Sequence, residues 1–178
     1  MKRLFRVQII LPAVLLIFVS IGILYARSPQ PSWQLAQDVA PPALLNQVVT
    51  DNLHPDATVD AGQMSVLKLR QSGQSRPLYL IDARLIDSET QPLCGVAGCA
   101  LFGYIRDQSG FQQVLATYLD PHLPPGQILL QPTSDLHQGL PKLVATQLVE
   151  TDLQQITLAF DGQTYAVDRL DYLPSDHE

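Results

Sequence analysis

The feature that most constrains this chain is an almost unbroken apolar run near its N-terminus, from Val7 to Ala26. A helix over this run would be roughly 30 Å long, which matches the hydrocarbon core of a bilayer. Basic residues precede the run, and the cytoplasmic flank of a membrane segment is normally rich in Lys and Arg. We therefore predict that residues 1–27 form a cytoplasmic tip and a transmembrane signal anchor, spanning with residues 7–26.

Removal of the anchor as a signal peptide is the alternative. A cleaved signal peptide usually has a shorter apolar core, of about 7 to 15 residues, and small side chains at its cleavage site. The best candidate site here follows Ala26, and it places Leu24 where a small residue is expected. We expect a single-pass protein of the inner (plasma) membrane whose C-terminal domain lies outside the cytoplasm; cleavage would instead release that domain into the periplasm.

The chain beyond Arg27 is acidic, because it holds all 17 Asp and Glu residues but only seven of the 11 Lys and Arg residues. Nucleic acids and anionic lipid headgroups are bound mainly through Lys and Arg. This composition therefore argues against nucleic acid as a partner, and no Gly-rich phosphate loop or other motif indicates a cofactor. The partners we expect are the membrane, through residues 7–26, and a protein of the envelope.

A linker and one domain are predicted after the anchor. Residues 28–42 are polar and rich in proline, and their single tryptophan, Trp33, would either sit at the lipid headgroups or pack on the domain. Residues 43–178 have the length of one extracytoplasmic domain. Its first segment, ending near His54, has apolar residues on one half of a helical wheel, which predicts an amphipathic helix.

The remainder of the domain predicts about seven or eight short strands. Apolar residues alternate along these segments, and glycine turns between them predict antiparallel hairpins, most clearly at Asp161-Gly162. The predicted fold class is therefore α+β. One N-terminal membrane helix would be followed by one amphipathic helix packed on a mainly antiparallel sheet.

The only two cysteines of the chain, Cys94 and Cys99, lie within the sequence PLCGVAGCA. On the outer side of a membrane, disulfides form and persist, and Gly95 and Gly98 let the backbone turn tightly between the sulfurs. The spacing is longer than the Cys-x-x-Cys of redox enzymes, and the scattered histidines do not complete a zinc site. We predict a structural disulfide and no metal site; redox function and metal binding are the alternatives.

Three segments carry a resemblance: PLCGVAGCALFGYIRDQSGFQQVL, QPTSDLHQGLPKLVA and ITLAFDGQTY. They resemble a pattern of uncharacterised small exported bacterial proteins, in which a Cys-Gly-x-x-Gly-Cys loop leads into a strand and a Phe-Asp-Gly-x-x-Tyr hairpin closes the domain. The resemblance covers Pro92 to Tyr165. It implies an exported, β-rich domain with a Cys94 to Cys99 bridge, and it implies no activity.

Catalytic candidates are few. Ser134, Asp135 and His137 lie within the sequence TSDLHQG, which is more typical of a polar loop than of an active site. Asp82 and Arg84 would share one face of a strand, which favours an ion pair over a glycosidase carboxylate. Asp87 and Glu89 are the other candidate carboxylates for such an enzyme, and the C-terminal aspartates lack the spacing of a calcium loop.

These observations favour a membrane-anchored binding or interaction module of the bacterial envelope, with an unspecified ligand, over an enzyme. The alternative is a small exported hydrolase acting on an envelope substrate through the Ser134 to His137 segment. A structural assembly factor is a third hypothesis. Edge strands that accept a partner by strand addition would suit the first.

Overall fold

Residues 31–173 are described by the computed structural model. The predicted anchor over residues 7–26 lies outside these residues. Within the described part of the chain, none of the helices has the length and apolar character that crossing a bilayer requires. The domain contains two α-helices, one 3-10 helix and ten strands, which run in the following order: β1 (Gln34–Leu35), α1 (Ala36–Val39), α2 (Pro42–Asn52), the 3-10 helix (Ala61–Gln63), β2 (Ser65–Leu69), β3 (Leu78–Asp82), β4 (Cys94–Gly95), β5 (Gly98–Arg106), β6 (Phe111–Leu119), β7 (Leu130–His137), β8 (Leu140–Val149), β9 (Asp152–Phe160) and β10 (Tyr165–Leu173).

Six strands form the first antiparallel sheet, which we call sheet A. Strands β1, β2, β3 and β5 follow one another across it, and β5 also pairs with β4 and with β6. The chain leaves the sheet after Asp82 and returns at Cys94, so that β3 and β4 pair with successive segments of β5. A β-bulge at Val114 lets β6 keep two consecutive apolar residues, Val114 and Leu115, in the core.

The remaining four strands form sheet B, an antiparallel meander in the order β7, β8, β9, β10. The turn between β9 and β10 is the predicted Asp161-Gly162 hairpin. Gly162 adopts φ +106, and the Asp161 carboxylate accepts hydrogen bonds from the backbone amides of Gln163 and Thr164 at 2.8 Å each. These bonds from Thr164 and Gln163 lower the pKa of the Asp161 carboxyl.

Sheet A is covered on both faces. One face packs against sheet B in a core that includes Leu80, Ile105, Leu143 and Phe160. The opposite face packs against the helices in a second core, to which α1 and α2 contribute Ala36, Leu44 and Val48, among other residues. The domain is therefore three layers deep, with sheet A in the middle.

The predicted α+β fold class was wrong. The chain is mainly β and forms two antiparallel sheets of six and four strands, whereas the sequence predicted one helix on one sheet. The proline-rich segment from residues 120 to 127 moves the chain from sheet A to sheet B, and alternating apolar residues look alike in one sheet or two. Strands β1 and β4, of two residues each, are too short to show any alternation.

Helix α2 forms where the amphipathic pattern predicts it. It begins at Pro42, because proline fits the first helical turn, and it ends at Asn52. The phenol of Tyr104 on β5 is fully buried, accepts a hydrogen bond from Asn52 Nδ2 at 2.9 Å and donates one to Asp51 at 3.0 Å. Burial raises the pKa of Tyr104. This contact fixes the last turn of the helix on sheet A.

Part of the predicted linker lies in the domain. Gln34 and Leu35 pair with β2, and the Ala36 amide donates to the Met64 carbonyl at 2.8 Å. Ala36 is fully buried, and Ala40 is nearly so. The globular domain therefore begins before residue 43, and Trp33 directly precedes its first strand.

Candidate functional site

A row of three residues across sheet A marks the open end of the core between the sheets. Ser65 on β2 lies opposite Asp82 on β3, which in turn lies opposite Leu101 on β5. Residues that pair across strands share a face of the sheet, and here it is the face turned toward sheet B. Along β3, Leu78 and Leu80 occupy the same face, so that Asp82 stands where the pattern calls for an apolar side chain.

Asp82 is almost completely buried and is neutralised by Arg84. Its carboxylate accepts hydrogen bonds from Arg84 Nε at 2.9 Å to each oxygen, from one terminal guanidinium nitrogen, and from the Arg84 backbone amide at 3.1 Å. The hydrogen bond with Asp82 raises the pKa of the Arg84 guanidinium above its usual value. The ion pair that the sequence favoured is therefore present, and it compensates a carboxylate that would be costly to bury alone.

Apolar side chains surround this ion pair and form a cleft of about 330 Å³. Its lining includes Trp33, which lies ahead of β1, and the segment from Ile128 to Leu130, which lies ahead of β7. That segment is held on sheet B, because the Leu129 carbonyl accepts a hydrogen bond from the Thr146 amide at 3.0 Å. We call this feature the Trp33 cleft; it is lined by Trp33, Ser65, Asp82, Arg84, Leu101, Ile128, Leu129 and Leu130.

The Trp33 cleft has the chemistry of a small binding site. Its volume falls within the usual range for ligand pockets, about 300 to 1,000 Å³, and it combines apolar walls with a few fixed polar groups. Trp33 is 37% exposed and Ile128 is 54% exposed, so both present apolar surface to a ligand. Arg84 has five N–H donors, and its bonds to Asp82 use only part of them.

The catalytic candidates of the sequence lie elsewhere, on β7. Ser134 and Asp135 are exposed and fall within a bulge between Pro132 and Leu136, where β7 does not pair with β8. The ring of His137 donates from Nδ1 to the Phe160 carbonyl oxygen at 2.7 Å. No hydrogen bond joins Ser134, Asp135 and His137 to one another. The structure places the three residues on one strand without arranging them as nucleophile, base and orienting acid.

The two cysteines form the predicted disulfide. Cys94 and Cys99 lie opposite each other at the base of a tight hairpin, with their Cα atoms 4.0 Å apart, and Gly95 pairs with Gly98. Gly98 adopts φ +100, and a Cβ there would lie 2.3 Å from the Leu119 backbone, so only glycine fits. The tip residue Val96 is fully exposed. The bridge therefore locks a short hairpin at the start of β5.

The other carboxylates are dispersed. Asp87 and Glu89 are exposed on the loop between β3 and β4, and the Asp168 carboxylate accepts a hydrogen bond from Lys142 Nζ at 2.8 Å. Across residues 31–173, no three His, Cys, Asp or Glu residues cluster in a way that could hold a metal ion.

Sequence reasoning missed the Trp33 cleft because its two walls come from distant segments. The available signal was the continuous apolar run LYLI directly before Asp82, which is typical of a strand buried on both faces, as β3 is. In such a strand a carboxylate is rare unless it is paired, which singles out Asp82. Trp33 could not be assigned, since its segment has the composition of a linker.

The comparisons with known proteins give no relative of this chain. No protein-family model matches it, and no curated protein or solved structure is significantly similar. The resemblance to small exported bacterial proteins therefore stays a prediction.

Proposed function

We propose that this chain is a membrane-anchored binding module of the bacterial envelope, with its domain outside the cytoplasm and its ligand in the Trp33 cleft. The apolar run over residues 7–26, with basic residues before it, supports the anchor and its orientation. The disulfide between Cys94 and Cys99 supports an oxidising compartment.

The proposal rests on the ion pair of the buried Asp82 with the half-exposed Arg84, which lies at an otherwise apolar opening. A row of apolar side chains would close the core at this end with no desolvation cost. The chain instead holds an aspartate whose side chain is 11% exposed and an arginine whose side chain is 44% exposed. Such a pair adds little stability for its burial, and a group that fixes the orientation of a ligand explains its presence.

The charges of the cleft indicate an uncharged ligand. Asp82 and Arg84 neutralise each other, so neither an anion nor a cation gains a full opposite charge. The acidic remainder of the domain further disfavours anions. The unused N–H donors of Arg84 suit carbonyl or hydroxyl oxygens, and Trp33 and Ile128 suit an apolar group beside them. We therefore propose a neutral amphiphilic ligand, such as an extended peptide segment.

Trp33 is the only tryptophan of the chain, so fluorescence excited selectively at tryptophan reports on this cleft without the signal of the six tyrosines. The full-length protein in lipid nanodiscs would be titrated with a tripeptide of alanine, leucine and alanine that is acetylated and amidated. The same tripeptide with a free carboxylate serves as the charged probe. We expect the neutral peptide to change the Trp33 emission in a saturable manner and to bind more tightly than the charged form.

Two variants separate cleft binding from a nonspecific effect. Arg84→Gln removes the charged donor, and Ile128→Ser removes part of the apolar wall; both should weaken binding of the neutral peptide. Leu170→Ser changes an apolar residue of similar exposure on β10 and should leave binding unchanged. Equal emission changes in all three variants would show that the peptide binds outside the cleft, and the proposal would be lost.

A further inference from the structure

Strand β10 is a long edge whose exposed residues are apolar as well as charged. Among the described residues, its only strand partner is β9. Val167, Leu170 and Tyr172 are 61%, 52% and 67% exposed, which is unusual for large side chains on one nine-residue strand. Such an edge presents unpaired backbone groups that can join another strand.

The apolar side chains of β10 lie on the face that carries the core. Val167 is opposite Leu158, and Leu170 is opposite Ile156, and both partners pack in the core between the sheets. A neighbouring strand beyond β10 would therefore continue an apolar surface. Arg169 and Asp171 pair with Thr157 and Gln155 and lie on the opposite face. There they form an ion pair, with Arg169 Nε 2.7 Å from Asp171 Oδ2.

We infer that the partner of this edge is a second copy of the chain, which pairs through β10 about a two-fold axis at Leu170. Two-fold antiparallel pairing places like faces together, so the axis must pass through a residue rather than between two. With the axis at Leu170, Arg169 lies opposite Asp171 of the second copy, and Asp171 lies opposite the second Arg169. The two apolar Leu170 side chains then meet on the core face.

Neighbouring registers are disfavoured by charge. An axis at Arg169 would place two arginines opposite each other, and an axis at Asp171 would place two aspartates opposite each other. Like charges directly across a strand pair are destabilising, whereas opposite charges contribute roughly 0.2 to 1 kcal/mol. The bulge at Asp168, where the register with β9 shifts, ends the regular part of the strand on one side. Of these three registers, only the axis at Leu170 places opposite charges across the strand pair.

This dimer is independent of the Trp33 cleft, which lies on sheet A and on the segment before β7. It would join two copies of sheet B into one eight-stranded sheet, and it would cover Val167, Leu170 and Tyr172. Dimerisation therefore explains why these side chains are kept on an edge that a monomeric protein would be expected to make polar.

The test uses the full-length protein in detergent, with light scattering to measure mass over a range of concentrations. Arg169→Asp alone makes Asp face Asp171 of the second copy, and Asp171→Arg alone makes Arg face Arg169. The dissociation constant of each variant's dimer should be about tenfold higher than that of the unmodified chain, because two attractive pairs become repulsive. An equimolar mixture of the two variants restores both attractions and should recover the dimer.

Recovery in the mixture also shows that neither variant has lost its fold. A monomeric unmodified chain would overturn the inference, as would single variants that dimerise as well as the unmodified chain. Dissociation that mixing does not reverse would likewise contradict the proposed register. The Arg84→Gln variant should dimerise normally, so failure of the cleft proposal and failure of the dimer are distinguished.

Discussion

Strands β5 and β10 are both nine residues long, yet they occupy opposite situations. In β5 every residue except Arg106 is buried, whereas in β10 only Tyr165 is buried. The sequence GCALFGYIR is almost continuously apolar and is covered by helices on one face and by sheet B on the other. The sequence YAVDRLDYL mixes charges with apolar residues at an open edge.

This difference in burial indicates different roles: β5 stabilises the fold, whereas β10 is available for recognition. Burial of apolar surface is the main source of folding free energy, so sheet A and its two cores carry most of it. Exposed side chains contribute little to folding and remain available for partners. The Trp33 cleft combines both situations, because buried strand residues and the exposed Trp33 and Ile128 line it together.

The strongest test of this comparison removes a core side chain from β5. Ile105 is completely buried, so Ile105→Ala leaves a cavity in the core. We expect the free energy of unfolding to fall by about 2 to 5 kcal/mol. Urea unfolding of the full-length protein, followed by Trp33 fluorescence, measures the change. A loss below about 1 kcal/mol would be as small as that expected for a surface substitution. It would show that sheet A does not supply most of the folding free energy.

A smaller loss is expected at the disulfide that precedes β5. Closing so short a loop removes little entropy from the unfolded chain, so replacing both cysteines with serine should cost about 2 kcal/mol. The strand pairing of β5 with β3 and β6 should persist, because it does not involve the bridge. Unfolding with and without reductant measures the effect on the unmodified chain, and the double serine variant should be insensitive to reductant. An unchanged midpoint in reductant would contradict a stabilising role.

Alkaline pH should weaken the domain through its buried tyrosines. Burial raises the pKa of both Tyr104 and Tyr165, so in the unfolded chain these phenols ionise first. Their contribution is complete below the unfolded pKa of about 10 and is lost as pH rises through the folded values. Thermal unfolding measured from about one pH unit below the unfolded pKa to about two units above it should show the decline. Tyr104→Phe should make the decline of stability with pH less steep. An equally steep decline in that variant would be evidence that Tyr104 does not contribute to it.

The smallest effect is expected on β10. Leu170 is half-exposed, so Leu170→Ala should change the free energy of unfolding of the monomer by no more than about 0.5 kcal/mol. Urea unfolding at a concentration below dimerisation provides the measurement. A loss comparable to that of Ile105→Ala would mean that β10 belongs to the stability core, and the contrast between the two strands would fail.

Much of the local structure can be predicted from the sequence, because it depends on neighbouring residues. Helix α2, the Asp161-Gly162 hairpin and the disulfide follow from periodicity, turn chemistry and the number of cysteines. The division into two sheets could not be predicted, since apolar alternation gives the face of a strand and not its neighbours. The Trp33 cleft was hidden for the same reason.

Nuclear magnetic resonance can follow the binding of a neutral ligand in the Trp33 cleft residue by residue. The chain has one indole N–H signal, from Trp33, and Arg84 can be followed through its Nε–H signal. Titration of labelled full-length protein in nanodiscs with the acetylated and amidated tripeptide should shift both signals together. The backbone amide of Leu170 should not move. Absent shifts at Trp33 and Arg84, or shifts confined to β10, would show that the Trp33 cleft does not bind the neutral peptide.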